Sequence, residues 1–375
     1  EDTAELQCHG SPMVLTLGLE ALCAAGARPA GPGEFTRRAF LNGRMDLVQA
    51  EAVIDIIEAE TAAGAENAVG QLGGALSRRI GAVYSSLLDL EAHFGAVLDY
   101  PDEDIEPFEA EECRIALSSA AEELRQILGT FERGRILREG VRAALIGRPN
   151  AGKSSLMNAL LGYERAIVTN MPGTTRDTIE EKAILGGVTV RLTDTAGLRE
   201  AEGEAERLGV ERARSAAEGA ELVIAVFDGS APLTEEDEET LAAARAAKRA
   251  IAVISKRDLP AALSAADLGG GFNAVVELSS RTLEGVDGLC AAIARLFPSP
   301  AAPAGEILTN ARQAEAARRA LGSVEAALDA LTSGLTPDAV LTGAEYALSA
   351  LGELTGRTVR EDVVDRIFER YCVGK

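Results

Sequence analysis

Residues 147–154 have the pattern G-x-x-x-x-G-K-[ST], which is typical of loops that bind nucleotide phosphates. The apolar run Val141–Ile146 precedes them and a helical pattern follows, so the motif is predicted to lie between a strand and a helix. Backbone N–H groups in such a loop turn inward at the positive end of the helix and bind phosphate oxygens. Lys153 would reach the β and γ phosphates, and Ser154 would bind Mg²⁺.

Four further segments follow this motif and predict which nucleotide is bound. Gly-Thr-Thr-Arg-Asp at 173–177 precedes a predicted strand, where a threonine hydroxyl could close over Mg²⁺. Asp-Thr-Ala-Gly at 194–197 follows a strand, where the aspartate can hold the Mg²⁺ shell and the glycine N–H can sense the γ-phosphate. Ser-Lys-Arg-Asp at 255–258 and Ser-Ser-Arg at 279–281 each follow another strand. Their order and spacing resemble those of small GTPases, which favours a guanine nucleotide.

Asp258 is central to this prediction because its carboxylate can accept hydrogen bonds from the N1–H and 2-amino groups of guanine. Ser255 stands where small GTPases have Asn, so we expect guanine selectivity with a weaker base pocket. The residues predicted to contact the nucleotide are Asn150, Ala151, Gly152, Lys153, Ser154, Ser155, Thr169, Asn170, Met171, Pro172, Gly173, Thr174, Thr175, Asp194, Thr195, Ala196, Gly197, Ser255, Lys256, Asp258, Ser279, Ser280 and Arg281.

Alternating strands and helices must position these loops. Short apolar runs separated by amphipathic helices indicate a doubly wound α/β sheet, here a Ras-like P-loop domain over residues 140–300. Gly186-Gly187 is typical of a tight hairpin joining two of its strands. The predicted strands are 141–146, 179–185, 188–193, 222–227, 250–254 and 274–278.

Helical segments flank this domain. Apolar residues from Leu76 to Val97 alternate at spacings of four and three, which predicts a long helix with one apolar seam. The chain after 300 is also helical, so we expect residues 43–139 and 301–375 to pack together as one all-α domain around the inserted α/β domain. Residues 1–42 mix a predicted strand at 3–8 with a helix at 13–25.

Composition narrows the function classes. The chain has 375 residues, with 37 Lys and Arg against 59 Asp and Glu, for a formal net charge of −22. Bulk electrostatics therefore exclude a general nucleic-acid binder, and any such partner needs a local basic patch or a second protein. Five scattered cysteines and two histidines argue against a zinc site or a disulfide framework. Neither a membrane span nor a signal peptide is evident, so we expect a cytoplasmic protein.

Motifs outside the nucleotide loops are more specific. They are Glu-Leu-Gln-Cys-His-Gly at 5–10, the run at 34–47 that includes Arg-Arg-Ala-Phe-Leu-Asn-Gly-Arg-Met-Asp-Leu, Asp-Tyr-Pro-Asp-Glu-Asp at 99–104, and the terminal Tyr-Cys-Val-Gly-Lys. Together they resemble the MnmE (TrmE) family of tRNA-modification GTPases over essentially the whole chain, including the inserted position of the G domain. Residues 1–42 resemble the last part of the family's α+β folate-binding and dimerisation domain, and we expect an N-terminal truncation.

The resemblance implies a function. Members hydrolyse GTP to open and close a homodimer. With the flavoprotein MnmG (GidA), in a heterotetramer, they add an aminomethyl-type group at C5 of the wobble uridine of tRNA. FAD is expected on that partner only, and the one-carbon unit comes from a tetrahydrofolate derivative. By motif position Glu5, Arg44 and Lys375 match folate-binding residues, and Cys372 matches the family's C-terminal cysteine, a candidate catalytic residue.

The resemblance also implies how hydrolysis proceeds. Leu198 occupies the position of the water-orienting Gln of Ras-like enzymes, and it has no donor or acceptor. The family instead places K⁺ where an arginine finger would sit, and Glu206 matches its water-orienting acid, while Lys153 is a further catalytic candidate. Matched positions give Ser154 and Thr175 as Mg²⁺ ligands, and Asn150, Thr169, Met171 and Thr174 as K⁺ ligands.

Two other interpretations remain open. The first is a K⁺-dependent ribosome-assembly or cell-cycle GTPase, which would need a basic RNA-binding module. The second is a truncated, non-enzymatic nucleotide-binding scaffold. The basic residues available for an RNA surface are scattered: Arg133, Arg135, Arg138, Arg142, Arg312, Arg318 and Arg319.

Overall fold

The computed structural model describes residues 1–99, 110–163, 180–194, 219–298 and 302–358, together with Val364, Ile367, Phe368 and Tyr371. The chain forms two compact units. The helical unit comprises Glu1–Glu58, Glu66–Phe131 and Ala302–Lys375, and the G unit comprises Ala59–Ala65 and Glu132–Ala301.

The G unit is built on a six-stranded sheet of order β2-β3-β1-β4-β5-β6. Strand β2 is antiparallel to β3, and the other neighbours are parallel. The predicted doubly wound α/β fold is therefore confirmed, and all six predicted strands lie within one residue of the observed bounds. The strands are β1 Val141–Ile146, β2 Glu180–Leu185, β3 Val188–Asp194, β4 Leu222–Asp228, β5 Ala250–Ser255 and β6 Ala274–Glu277.

Helices account for most of the remaining described chain. A short 3₁₀ helix, Ala265–Leu268, lies between β5 and β6. The α-helices are α1 Pro12–Ala24, α2 Glu34–Leu41, α3 Leu47–Glu58, α4 Ala62–Leu72, α5 Ala75–Asp99, α6 Ala110–Gly129, α7 Phe131–Glu139, α8 Lys153–Tyr163, α9 Glu235–Ala246, α10 Val286–Leu296, α11 Ala311–Thr332 and α12 Pro337–Thr355.

The central strands β4 and β5 are buried along their whole lengths, and β1 is buried at every position but Arg142. Strands covered on both faces read as continuous apolar runs, which is why their bounds could be predicted so closely. Helices α8 and α10 cover one face, and α9 with the 3₁₀ helix covers the other. The carboxyl ends of the parallel strands therefore share one edge, where doubly wound folds bind ligands.

The hairpin between β2 and β3 confirms the prediction from its two glycines. Gly186 and Gly187 both have positive φ, 60° and 79°, the conformation that a two-residue hairpin of this type requires. Gly186 is also packed tightly, because an added Cβ would lie 2.5 Å from the Cys290 carbonyl oxygen. A side chain at this position would clash with α10.

The helical unit has one continuous core formed by α5, α6, α11 and α12. The predicted seam is confirmed from Leu76 to Phe94: Leu76, Ile80 and Leu87 on α5 are completely buried, and Phe94 is 2% exposed. Helices α11 and α12 approach closely because Gly343 has no side chain. A Cβ there would lie 2.8 Å from that of Ala327. The helical segments before and after the G domain thus share one core.

Buried polar contacts join these two helical segments. Glu51 of α3 is 4% exposed and accepts hydrogen bonds from Asn310, Arg312 and Gln313 at the start of α11. Arg312 also donates to the Glu353 carbonyl near the end of α12. A charge this deeply buried must be paired, and the Glu51–Arg312 pair connects α3, α11 and α12.

The predicted strand at 3–8 is wrong. Residues 1–11 contain neither helix nor strand, and the chain becomes helical at Pro12. A strand needs a neighbour to pair its backbone groups, and the sheet of the described residues contains no segment from this region. The predicted helix that follows is confirmed as α1. No helix within the described ranges is long and apolar enough to cross a bilayer.

Candidate functional site

The phosphate loop, residues 147–152, connects the end of β1 to the start of α8 as the motif predicts. Gly147 has φ 151°, and a Cβ there would lie 2.4 Å from the Val226 carbonyl oxygen, so the loop's first residue must be glycine. Gly152 has φ 107°, again outside the range that suits an ordinary residue. Asn150 also adopts positive φ, 62°, at the exposed tip of the loop.

Lys153 starts α8 and curls over this loop. Its Nζ donates to the carbonyl oxygens of Gly147, at 2.7 Å, and Arg148, at 2.9 Å. The ammonium group therefore lies across the loop at the N-terminal end of α8. An anion bound there is stabilised both by the charge of Lys153 and by the positive end of the helix dipole. Ser154 and Ser155 follow in the first turn and are exposed. The arrangement can bind phosphate groups.

The base loop, residues 255–258, follows β5, and the segment 279–281 follows β6. The two lie together at the carboxyl ends of these strands. Asp258 Oδ1 accepts a hydrogen bond from Ser279 Oγ at 2.8 Å, and Oδ2 lies 3.3 Å from Arg281 Nε. The Ser279 hydrogen bond, assisted by the charge of Arg281, lowers the pKa of Asp258. The carboxylate is thus held ionised, as an acceptor for two donor groups must be.

Ser255 joins the base loop to the phosphate loop. The residue is 1% exposed, and its Oγ lies 2.5 Å from the Ala151 carbonyl oxygen and 2.9 Å from that of Phe227. A hydroxyl has one hydrogen, so it donates to one of these carbonyls at a time. Serine thus still contacts the phosphate loop at the position where small GTPases have asparagine. The weaker base pocket expected from this difference stays a prediction.

Other predicted site residues are placed less fully. Asp194 is the last residue of β3, beside Leu145 of β1, and Ser280 lies next to Ser279. The following predicted residues lie outside the described part of the chain: Thr169, Asn170, Met171, Pro172, Gly173, Thr174, Thr175, Thr195, Ala196, Gly197, Leu198, Glu206, Cys372 and Lys375.

Metal binding can be tested against the residues present. Ser154 offers an exposed hydroxyl at the end of the phosphate loop, and Mg²⁺ bound by phosphates needs only one or two such protein ligands. The exposed Asn150 side chain is an oxygen donor suited to K⁺. Both residues fit the ions proposed for them. No group of three His, Cys, Asp or Glu side chains in the described ranges could hold a metal on its own.

The predicted folate residues that the structure describes are both exposed. Glu5 lies in the irregular segment before α1, and Arg44 lies in the turn after α2. The Arg44 amide donates to the Ala39 carbonyl at 2.9 Å, which closes that turn. Their role in folate binding stays a prediction.

Sequence reasoning missed two charged residues beside the nucleotide loops, Asp228 and Arg148. Asp228 is the last residue of β4, and its side chain is 10% exposed. Arg148 is the second residue of the phosphate loop and is 18% exposed. An aspartate ending an otherwise apolar strand at the ligand-binding edge was the signal that could have revealed the first.

The sheet, its phosphate loop and its base loop define a P-loop nucleotide-binding domain of the GTPase class, inserted in sequence between two helical segments. Comparison with known proteins identifies the family. A family model described as "MnmE helical domain" matches residues 47–372, and one described as "GTP-binding protein TrmE N-terminus" matches residues 1–44. The chain belongs to the MnmE family.

Individual relatives agree with this assignment. The tRNA modification GTPase MnmE of Roseiflexus sp. (strain RS-1) is 45% identical over 386 residues, covering 100% of this chain and 83% of that protein. The protein of the same name from Thermus thermophilus is 46% identical, covering 100% and 82%. Among solved structures, the G domain of the T. maritima FeoB iron transporter is 30% identical over 41% of this chain and 97% of that one, with a TM-score of 0.30. That TM-score is too low to add to the fold described above.

Ser255→Ala should lower the free energy of unfolding by about 1–2 kcal/mol, because two buried carbonyls lose their shared donor. Denaturant unfolding followed by circular dichroism measures this change. Ser323→Ala is the matched control: its Oγ donates to the Arg319 carbonyl on a helix surface, so the expected change is below about 0.5 kcal/mol. Equal effects of the two substitutions would show that the Ser255 hydroxyl does not hold the loops.

Proposed function

We propose that this chain is a GTP-hydrolysing enzyme of tRNA modification. The observation that carries the proposal is the pairing of Asp258 with Ser279 at the same sheet edge as the phosphate loop, in a chain of the MnmE family. The relatives that match the chain over its full length are named tRNA modification GTPases. The phosphate loop supplies nucleotide binding, and Asp258 supplies the choice of guanine.

In the proposed mechanism, the backbone N–H groups of the phosphate loop and the Lys153 ammonium hold the β and γ phosphates. Asp258 accepts the N1–H and 2-amino donors of guanine while Ser279 keeps its carboxylate oriented. Ser154 and Thr175 would hold Mg²⁺, and Asn150, Thr169, Met171 and Thr174 would hold K⁺. Bound at these positions, the cations would neutralise negative charge that develops on the phosphates.

Glu206 is proposed to orient the attacking water. Leu198, at the position where Ras-like enzymes have a water-orienting Gln, can neither donate nor accept a hydrogen bond. An acid that acts mainly in the transition state should affect turnover more than nucleotide affinity. Glu206 therefore belongs to the hydrolytic step rather than to nucleotide binding.

The wider reaction is also part of the proposal. The chain would act as a homodimer in the cytoplasm with a flavoprotein partner of the MnmG type, which carries the FAD. Together they would modify C5 of the wobble uridine of tRNA, with a tetrahydrofolate derivative as one-carbon donor. Glu5, Arg44 and Lys375 would contact the folate, and Cys372 would act near the modified base.

Replacing Lys153 should test both halves of this function at once. Lys153→Ala should abolish GTP hydrolysis and, in cells lacking their own family member, should leave the wobble uridine unmodified, as measured by mass spectrometry of tRNA nucleosides. Lys248→Ala, at a surface position in the same unit, should retain both activities. A wild-type chain that hydrolyses GTP yet restores no modification would contradict the tRNA half alone.

Asp258→Asn should shift nucleotide preference from GTP toward xanthosine triphosphate. The carboxylate accepts two guanine donors, whereas an amide can donate to the carbonyl that xanthine carries instead of the 2-amino group. Competition binding with the two triphosphates measures the shift. An unchanged preference for GTP would mean that Asp258 does not read the base.

Asn150→Ala should remove potassium stimulation of GTP hydrolysis while nucleotide affinity stays nearly intact, because the phosphate loop binds through its backbone. Hydrolysis rates in KCl and NaCl give the comparison, with RbCl expected to replace KCl and LiCl not. Equal wild-type rates in KCl and NaCl would contradict the potassium site.

A further inference from the structure

Four charged side chains, Arg148, Asp228, Asp237 and Lys256, form a cluster that connects the phosphate loop and the base loop, and of these only Lys256 was predicted to contact the nucleotide. Arg148 of the phosphate loop lies between two carboxylates: its Nη2 is 3.7 Å from Asp228 Oδ2, and its Nε is 3.3 Å from Asp237 Oδ2. Asp237 is 3% exposed and caps α9 by accepting hydrogen bonds from Thr234. The guanidinium group is therefore held between the end of β4 and the start of α9.

Asp228 also binds the base loop. Lys256 Nζ donates to Asp228 Oδ2 at 2.6 Å, so the same carboxylate oxygen faces both Lys256 and Arg148. The other oxygen, Oδ1, accepts from Ser230 N at 3.0 Å and Ser230 Oγ at 2.6 Å. Burial acts to raise the pKa of Asp228, but the hydrogen bonds from Lys256 and Ser230 outweigh it, and the pKa lies below its ordinary value.

The ion pair between Lys256 and Asp228 accompanies an unusual backbone conformation at Lys256. Lys256 has φ 58°, a left-handed conformation that a lysine adopts only when its surroundings impose it. Two residues later the chain reaches Asp258, whose direction depends on the path taken at Lys256. The ion pair with Asp228 fixes the side chain on one flank of this turn, and the Lys256 carbonyl accepts from the Leu259 amide at 2.9 Å on the other.

We propose that Asp228 is a positioning residue that holds the phosphate loop, through Arg148, and the base loop, through Lys256, in one arrangement. The proposal rests on the function proposed above, since it concerns how the phosphates and the base of one guanine nucleotide are bound at the same time. A nucleotide spans the two loops, so its phosphates and base can be bound together only if the loops keep a fixed separation. Asp228 acts on binding and on base selectivity, and not on the hydrolytic step.

The contacts of Asp228 with Arg148 and with Lys256 predict different effects on nucleotide affinity and on base selectivity. Without the Asp228 charge, both loops lose their shared anchor, and Asp258 is less firmly aimed at the 2-amino group of guanine. Without the Arg148 guanidinium, only the phosphate loop loosens, because Lys256 retains Asp228. Inosine diphosphate, which lacks the 2-amino group, separates these effects when its affinity is compared with that of GDP.

The experiment measures dissociation constants of GDP and inosine diphosphate by calorimetry for the full chain and its variants. Asp228→Asn should weaken GDP binding about tenfold and lower the preference for GDP over inosine diphosphate at least about threefold. Arg148→Met should weaken both ligands by a similar factor and leave the preference unchanged. Saturating GTP should restore turnover in Asp228→Asn to within about threefold of wild type.

Asp267→Asn is the matched control. Asp267 likewise accepts two hydrogen bonds from one serine, Ser264, but it is an exposed residue of the 3₁₀ helix. This substitution should change neither affinity nor preference. If Asp228→Asn fails to fold, as judged by thermal unfolding, then Asp228→Glu carries the comparison, with a smaller loss of GDP preference expected because the charge is kept.

Three outcomes would overturn the inference. They are an unchanged preference in the Asp228 variant, an equal loss of preference in Arg148→Met, or a fall in turnover at saturating GTP with affinity intact. Failure of the proposed function is seen separately, in the wild-type chain: binding of ADP as tightly as GDP would contradict guanine recognition itself and would remove this inference with it.

Discussion

The close approach of the carboxyl ends of β1, β4 and β5 is the constraint on which the nucleotide site depends. Two glycines permit it. A Cβ on Gly147 would lie 2.4 Å from the Val226 carbonyl oxygen, and one on Gly229 would lie 2.5 Å from the Ser255 carbonyl oxygen. Because the backbones meet so closely, a single serine hydroxyl can reach from β5 to the phosphate loop, and one carboxylate at the end of β4 can face two loops.

Several arginines that could attract nucleic acid are instead paired with acids of the same chain. Arg135 pairs with Glu221, Arg312 with the buried Glu51, and Arg319 with Glu353. These arginines are among the residues that an RNA-assembly function would need as a basic surface, and their ion pairs cancel much of their long-range field. The net charge of −22 likewise argues against attraction of nucleic acid by the chain as a whole. Any recognition of tRNA would therefore use local contacts or the partner proposed above.

The parts of the fold that could be predicted are those where one physical signal dominates. Continuous apolar runs predict buried parallel strands, a heptad seam predicts a packed helix, and paired glycines predict a hairpin. The strands β1 and β4, the helix α5 and the β2–β3 turn were therefore all predicted correctly. The strand at 3–8 was predicted wrongly, because the residues of one short segment say nothing about whether a neighbouring strand is there to pair with it. Motif spacing likewise located Asp258 and Ser279 but not Asp228. The role proposed for Asp228 depends on the side chains that surround it in the folded chain, and the spacing of motifs along the sequence does not show which side chains those are.

Backbone strain marks the same site independently of any motif. Among the described residues, three that are not glycine have positive φ: Asn150 at 62°, Lys256 at 58° and Leu283 at 66°. Asn150 lies at the tip of the phosphate loop, Lys256 lies in the base loop, and the Leu283 amide donates to the Ser279 carbonyl at 2.8 Å. Asparagine adopts this conformation readily, but lysine and leucine do so at a cost of about 1–3 kcal/mol each and keep it only where surrounding contacts impose it. All three lie in loops at the sheet edge that would bind a nucleotide, so the contacts around Lys256, its ion pair with Asp228 among them, hold a backbone geometry that the local sequence alone would not adopt.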